Sequence, residues 1–87
     1  MKIIPSKHFE KQARKLRKGE KQALAKRLTI FMEDPYNRIL NNNALGGSLR
    51  HYRSINITGD LRLIYEAQDD DIARLIDLET HAKLYKK

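Results

Sequence analysis

The sequence predicts an α+β domain: a mostly antiparallel sheet with a helical hairpin packed on one face, in the order β-α-α-β-β-β with a short helix or turn at the end. Three observations carry this. Two stretches with helical apolar spacing lie between Ser6 and Glu33, divided at Gly19. Three short strand-like stretches follow between Tyr52 and Leu78, divided by turn residues. At 87 residues the chain has room for a single domain, residues 1–87, with one compact core.

Lys2–Pro5 reads as a short edge strand, because proline cannot donate to a ladder and stops it. Ser6 is placed to cap a helix with its hydroxyl. Phe9, Ala13 and Leu16 form a narrow apolar stripe on that helix, and Gly19 breaks it. A second helix runs from about Glu20 to Glu33, with Leu24, Leu28, Phe31 and Met32 as its apolar face and Ala25 beside them. Asp34-Pro35 ends it, since a residue before proline avoids the α region. Tyr36–Ser48, with Asn41-Asn42-Asn43 and Gly46-Gly47, reads as a long loop, and length of that kind favours function.

Tyr52–Thr58 alternates, with Ile55 and Ile57 on one face and Ser54 and Asn56 on the other. Thr58-Gly59-Asp60 is a hairpin turn. Leu61–Glu66 places Leu61, Leu63 and Tyr65 on one face and Arg62 and Glu66 on the other. After a turn at Gln68–Asp71, Ile72–Leu78 is apolar on both faces, as in a covered or central strand. His81–Lys87 reads as a final helix or turn. The face opposite the helices is expected to be partly open, carrying Ser54, Asn56 and Arg62.

The formal charge of +7 is unevenly placed: +9 over residues 1–53 and −2 over residues 54–87. A basic front half in a small domain points to a polyanion, with nucleic acid the default and an acidic protein as the other candidate. The chain has no cysteine, which excludes disulfides and a thiolate metal cage. The opening MKIIPSKHF has no apolar run of signal-peptide or membrane-span length, so the expectation is a cytoplasmic protein without membrane contact. No glycine-rich phosphate loop precedes a helix. His8, His51 and His81 lack zinc-ligand spacing, and Asp69-Asp70-Asp71 reads as a solvated turn; no metal or cofactor is expected.

What remains as chemistry is Arg53, Asn56, Asp60, Arg62, His81 and Tyr85. A basic sheet face with an imidazole and a carboxylate suits metal-free RNA cleavage. That reaction needs a base for a ribose 2′-hydroxyl, an acid for the leaving oxygen and cations for the charge building on phosphate. Each residue also has a plain structural alternative. His81 would cap or pack against the sheet, Asp60 would shape its turn, Arg62 would pair with Glu66 or Asp77, and Tyr85 would anchor the tail.

The run LGGSLRHYRSINITGDLRLIY followed by ETHAKLY resembles the RelE/ParE superfamily of toxins from type II toxin–antitoxin modules, in particular the YafQ branch. The similar features are the "L-x-G-S/K-x-x-x-Y-R" opening, a hairpin aspartate, "LIY" and a terminal "T-H-x-x-L-aromatic". The resemblance implies a RelE-like fold and a metal-independent, ribosome-dependent mRNA endonuclease that inhibits translation. It gives His81 a proton-transfer role, places Asp60 in the active site, puts Arg62 on the scissile phosphate and makes Tyr85 the terminal aromatic. Arg53 matches a basic residue of many relatives and is expected beside Arg62 on the phosphate, with Asn56 orienting it. Arg50, Asn43, Lys11, Lys15 and Lys18 are the further RNA-binding candidates.

This sequence departs from the branch at three positions. Two active-site histidines of the pattern fall on Asn43 and Asn56, and an arginine of the last strand falls on Asp77. Asparagine can bond a phosphate but cannot shuttle a proton at neutral pH. The alternative implied by the superfamily is a non-catalytic ParE-like toxin that inhibits DNA gyrase, and a plain nucleic-acid-binding module is a third reading. The implied partners are a cognate antitoxin, the ribosome with its mRNA, and operator DNA reached only through the antitoxin complex.

Overall fold

The structure is a computed structural model and describes residues 1–80. The expected final helix or turn at His81–Lys87 lies outside the described residues, as do the candidate site residues His81 and Tyr85. The order is β1 (Lys2–Pro5), α1 (Lys7–Arg14), α2 (Lys18–Glu33), β2 (Asn43–Ala44), β3 (Arg53–Asn56), β4 (Leu61–Ala67) and β5 (Ile72–Thr80). Single 3-10 turns at Arg38–Leu40 and Gly47–Leu49 flank β2. The five strands form one sheet in the order β1-β5-β4-β3-β2, parallel only where β1 meets β5. Among the described residues no helix is long and apolar enough to cross a membrane.

Local chemistry sets most boundaries. Pro5 ends β1 at the sheet edge, and the Ser6 hydroxyl accepts the Phe9 N–H at 3.1 Å, capping α1. Asp34 caps the end of α2 just before Pro35. The break between the helices falls at Lys15–Arg17, ahead of the expected Gly19. The Glu20 carboxylate reaches back to accept the Arg17 N–H at 3.0 Å, so Gly19 sits in the first turn of α2. Leu16 therefore lies beyond α1, yet it still packs against the core.

The helices cover one face of the sheet. Phe9, Leu24 and Phe31 pack with Leu40, Ile55, Ile57, Leu61, Leu63, Tyr65, Ala73, Leu75 and Leu78. Phe31 meets Tyr65 edge to face, with ring centroids 4.8 Å apart. Two residues assigned to the apolar side of α2 fall outside this core: Met32 is 38% exposed, and Ala25 is exposed. They sit one position past Phe31 and Leu24, rotated away from the sheet.

A bulge explains the two-sided apolar pattern of β5. Ile64 stands opposite Asp77 and Tyr65 opposite Leu75, which leaves Ile76 as an extra residue. The extra residue reverses the alternation, so Leu75 and Leu78 both enter the core although they are three apart. Beyond the bulge, β1 has ended, and a side chain of α1 takes over its ladder. Gln12 Oε1 accepts the Leu78 N–H at 2.8 Å, while its Nε2 donates to the Leu78 carbonyl at 3.0 Å.

β2 is the one strand that the sequence does not suggest. Two residues carry no periodicity, but they pair with β3 (Asn43 with Ser54, Ala44 with Arg53) and close the far edge of the sheet.

Candidate active site

Arg62 is the centre of the face away from the helices. The β3–β4 register puts it directly across from Asn56, with Ser54 across from Ile64 on the same side. That face was expected to be partly open, and at this point it is closed: Arg62 is 1% exposed and Ser54 is fully buried. A buried guanidinium needs acceptors. Arg62 Nε donates to the Ser54 hydroxyl at 3.0 Å, Nη1 to Asn56 Oδ1, and Nη2 to the carbonyls of Asn41 at 2.9 Å and Ser54 at 3.2 Å. Among the described residues these acceptors are neutral groups, and they orient the guanidinium.

Asn41 supplies its carbonyl from a left-handed conformation, φ 47°, which asparagine tolerates better than most residues. Asn43 is bonded into the same corner, its Nδ2 donating to the Asn41 carbonyl at 3.2 Å. Asn43 is exposed and stands opposite Ser54. Both asparagines that replace histidines in the YafQ-like pattern thus lie on the Arg62 side of the sheet. Ser54 and Asn41, neither of them a site candidate from sequence, also belong to the cluster. The signals were present: Ser54 alternates in phase with Asn56, and an asparagine run is a common source of left-handed residues.

Asp60 is exposed in the β3–β4 turn. Its backbone N–H and that of Leu61 donate to the Thr58 hydroxyl at 3.2 and 3.0 Å, so the turn is held by Thr58. Asp77 is engaged elsewhere, which removes it as the partner suggested for Arg62. Its Oδ1 accepts Gln12 Nε2 at 2.7 Å and lies 3.1 Å from His8 Nε2. Lys11, Lys15, Lys18 and Arg50 are exposed, as a docking surface for a polyanion requires.

Arg53 is the clear correction. It was expected to join Arg62 on one phosphate, but it stands across from Tyr65, three residues further along β4, and so on the opposite face. There its Nε donates to Asn42 Oδ1 at 2.8 Å and its guanidinium lies 5.3 Å from the centre of the Tyr36 ring. Asn42 Nδ2 in turn donates to the Tyr65 hydroxyl at 2.7 Å and the Pro35 carbonyl at 2.9 Å. Burial of Tyr65 pushes its phenol pKa up, and the bond from Asn42 offsets part of that.

Comparison with known proteins gives the family and the fold. The family model described as the bacterial toxin of type II toxin–antitoxin systems, YafQ, matches residues 1–86. Among solved structures, YafQ from E. coli strain BL21(DE3) superposes with a TM-score of 0.77 at 24% identity, covering 95% of this chain and 96% of that one. The E. coli DinJ–YafQ toxin–antitoxin complex matches at 27% identity and TM-score 0.63, covering 95% and 94%. A YoeB/ParE toxin from Agrobacterium tumefaciens shares the fold at TM-score 0.74 and 15% identity, covering 93% and 99%. No curated protein sequence matches significantly. With its whole length matched, its sheet order and its helical hairpin, the chain belongs to the YafQ family of toxins of bacterial type II toxin–antitoxin systems.

Proposed function

We propose that this toxin is a metal-independent mRNA endonuclease that cuts message on the ribosome and so stops translation. One observation carries the reading: a guanidinium, Arg62, is oriented by the neutral groups of Ser54, Asn56 and Asn41 on a face flanked by polar asparagines. Such a group stabilises charge that builds on a phosphate during transfer.

In the proposed reaction the ribose 2′-hydroxyl loses its proton to a base, with Asp60 in that role or positioning it. The 2′-oxygen attacks phosphorus, the bond to the 5′-oxygen breaks, and His81 gives that oxygen its proton. Arg62, itself buried, acts on the phosphate through its positive charge, and Asn56 holds Arg62. Tyr85 is the terminal aromatic implied by the family. The exposed lysines 11, 15 and 18 with Arg50 dock on ribosomal RNA, and Asn43 contacts the strand at the sheet edge. A cognate antitoxin covers basic surface and restrains the toxin, and the pair reaches operator DNA through the antitoxin. The site of action is the cytoplasm.

A second reading has its own support. Asn43 and Asn56 cannot transfer protons at neutral pH, which favours a non-catalytic inhibitor of DNA gyrase. Induced expression of wild type and His81→Ala, with message 5′ ends mapped, separates the two. The endonuclease reading expects new ends inside translated frames with wild type and none with the variant. Full toxicity of the variant, with no new ends in either strain, would eliminate it.

A further inference from the structure

Tyr36 and Arg53 form a structure that the cleavage site does not use. The Tyr36 ring is 65% exposed, against 50% for Ile4 and Ile39 and 38% for Met32 among the large apolar side chains. Core packing does not account for a ring left in water, yet this one is held in place. Pro35 beside it is tied to Asn42, and the Arg53 guanidinium lies 5.3 Å from its centre. Arg53 is itself fixed by Asn42, and Asn42 by the buried Tyr65. The result is an aromatic–cation pair facing solvent, its cation bonded to Asn42, on a protein of charge +7.

We propose that Tyr36, backed by Arg53, is a stacking platform for an unpaired base of the message strand. This rests on the reading that the toxin acts on RNA. A tyrosine face accepts any base, and a neighbouring guanidinium adds cation–π attraction. The platform is continuous with the Arg62 cluster through adjacent residues: Asn41 bonds Arg62 on one face of the sheet, and Asn42 bonds Arg53 on the other. The edge between them is β2, only two residues long, so a strand leaving Arg62 has a short edge to round. Tyr36 would then grip message a few nucleotides from the cut.

The test uses a single-stranded RNA carrying one 2-aminopurine, measured free and on programmed ribosomes with the full-length protein. Stacking on tyrosine quenches this base. Wild type should quench it in at least one setting, and Tyr36→Phe should bind within about twofold of wild type. Tyr36→Ala should lose the quenching and bind about 5- to 150-fold more weakly, the range for one stacked base. Its salt dependence should keep the wild-type slope, because no phosphate contact is lost; removal of a phosphate-binding cation lowers that slope by about one. Tyr36 is exposed, so both variants should melt close to wild type.

Cutting of message by wild type together with undiminished binding and quenching by Tyr36→Ala overturns the platform and leaves the nuclease reading. No quenching by wild type in either setting also overturns it. Wild type that neither binds nor cuts RNA overturns both. A Tyr36→Ala variant that loses only its grip on an acidic protein partner shows a protein contact instead, and overturns the proposal too.

Discussion

Arg53 and Arg62 point to opposite faces of one strand pair: Arg53 lies across from Tyr65 on the helix side, and Arg62 across from Asn56 on the far side. Consecutive asparagines hold them, Asn41 through its carbonyl and Asn42 through its side chain. The two arginines therefore sit in separate environments, and substitutions near each should give different signatures.

Asn56→Asp tests what Arg62 does. A carboxylate at this position accepts from the guanidinium in a charge-assisted bond, roughly twice as strong as a neutral one. Stability should hold or rise by about 1 kcal/mol, while message cleavage falls at least tenfold because the cation is neutralised. Denaturant unfolding and 5′-end mapping on the same variant check the pair of outcomes. Retained cleavage would assign Arg62 to the fold alone.

Gln12→Ala tests the side chain that replaces β1 beyond the bulge. It removes bonds to the Leu78 N–H and carbonyl and to Asp77, leaving backbone groups of a buried residue unsatisfied. The expected cost is about 2 kcal/mol, or roughly 8–16 °C in melting temperature for a domain of this size. A loss under about 0.5 kcal/mol would mean that water or another residue takes over these groups.

Tyr65 sets a limit at alkaline pH. Burial raises its pKa in the folded state, so the folded protein keeps the phenol proton after an unfolded chain has lost it. This contribution to stability is intact below about pH 10 and is lost as pH climbs toward the folded value. Ultraviolet titration of the phenols should show a late phase that Tyr65→Phe abolishes. If that phase persists in the variant, the late group is another tyrosine.

Features carried by adjacent residues were legible in the sequence. Pro5 stopped β1, Ser6 capped α1, Asp34-Pro35 ended α2, and Thr58-Gly59-Asp60 turned the hairpin, each through chemistry confined to a few neighbours. The side of the sheet bearing Ser54, Asn56 and Arg62 followed from alternation. The same alternation puts Arg53 with Ile55, and grouping it with Arg62 overrode that signal. Burial of Arg62 was not legible, because one of its acceptors is a backbone carbonyl 21 residues away in sequence. The bulge at Ile76 and the two-residue β2 were equally hidden, since register comes from the partner strand and not from the strand itself. Gly19 misled because a glycine in the first turn of a helix looks, in sequence, like one that ends the helix before it.

The central claim is that the Arg62 face cuts message. Its most direct test is translation in a purified system on end-labelled mRNA, with wild type and a folded Arg62→Lys variant. Lysine keeps the charge but cannot span Ser54, Asn56 and Asn41 as the planar fork does. The account predicts ribosome-dependent cut ends with wild type and at least tenfold fewer with Arg62→Lys. Equal cutting by both proteins would contradict it.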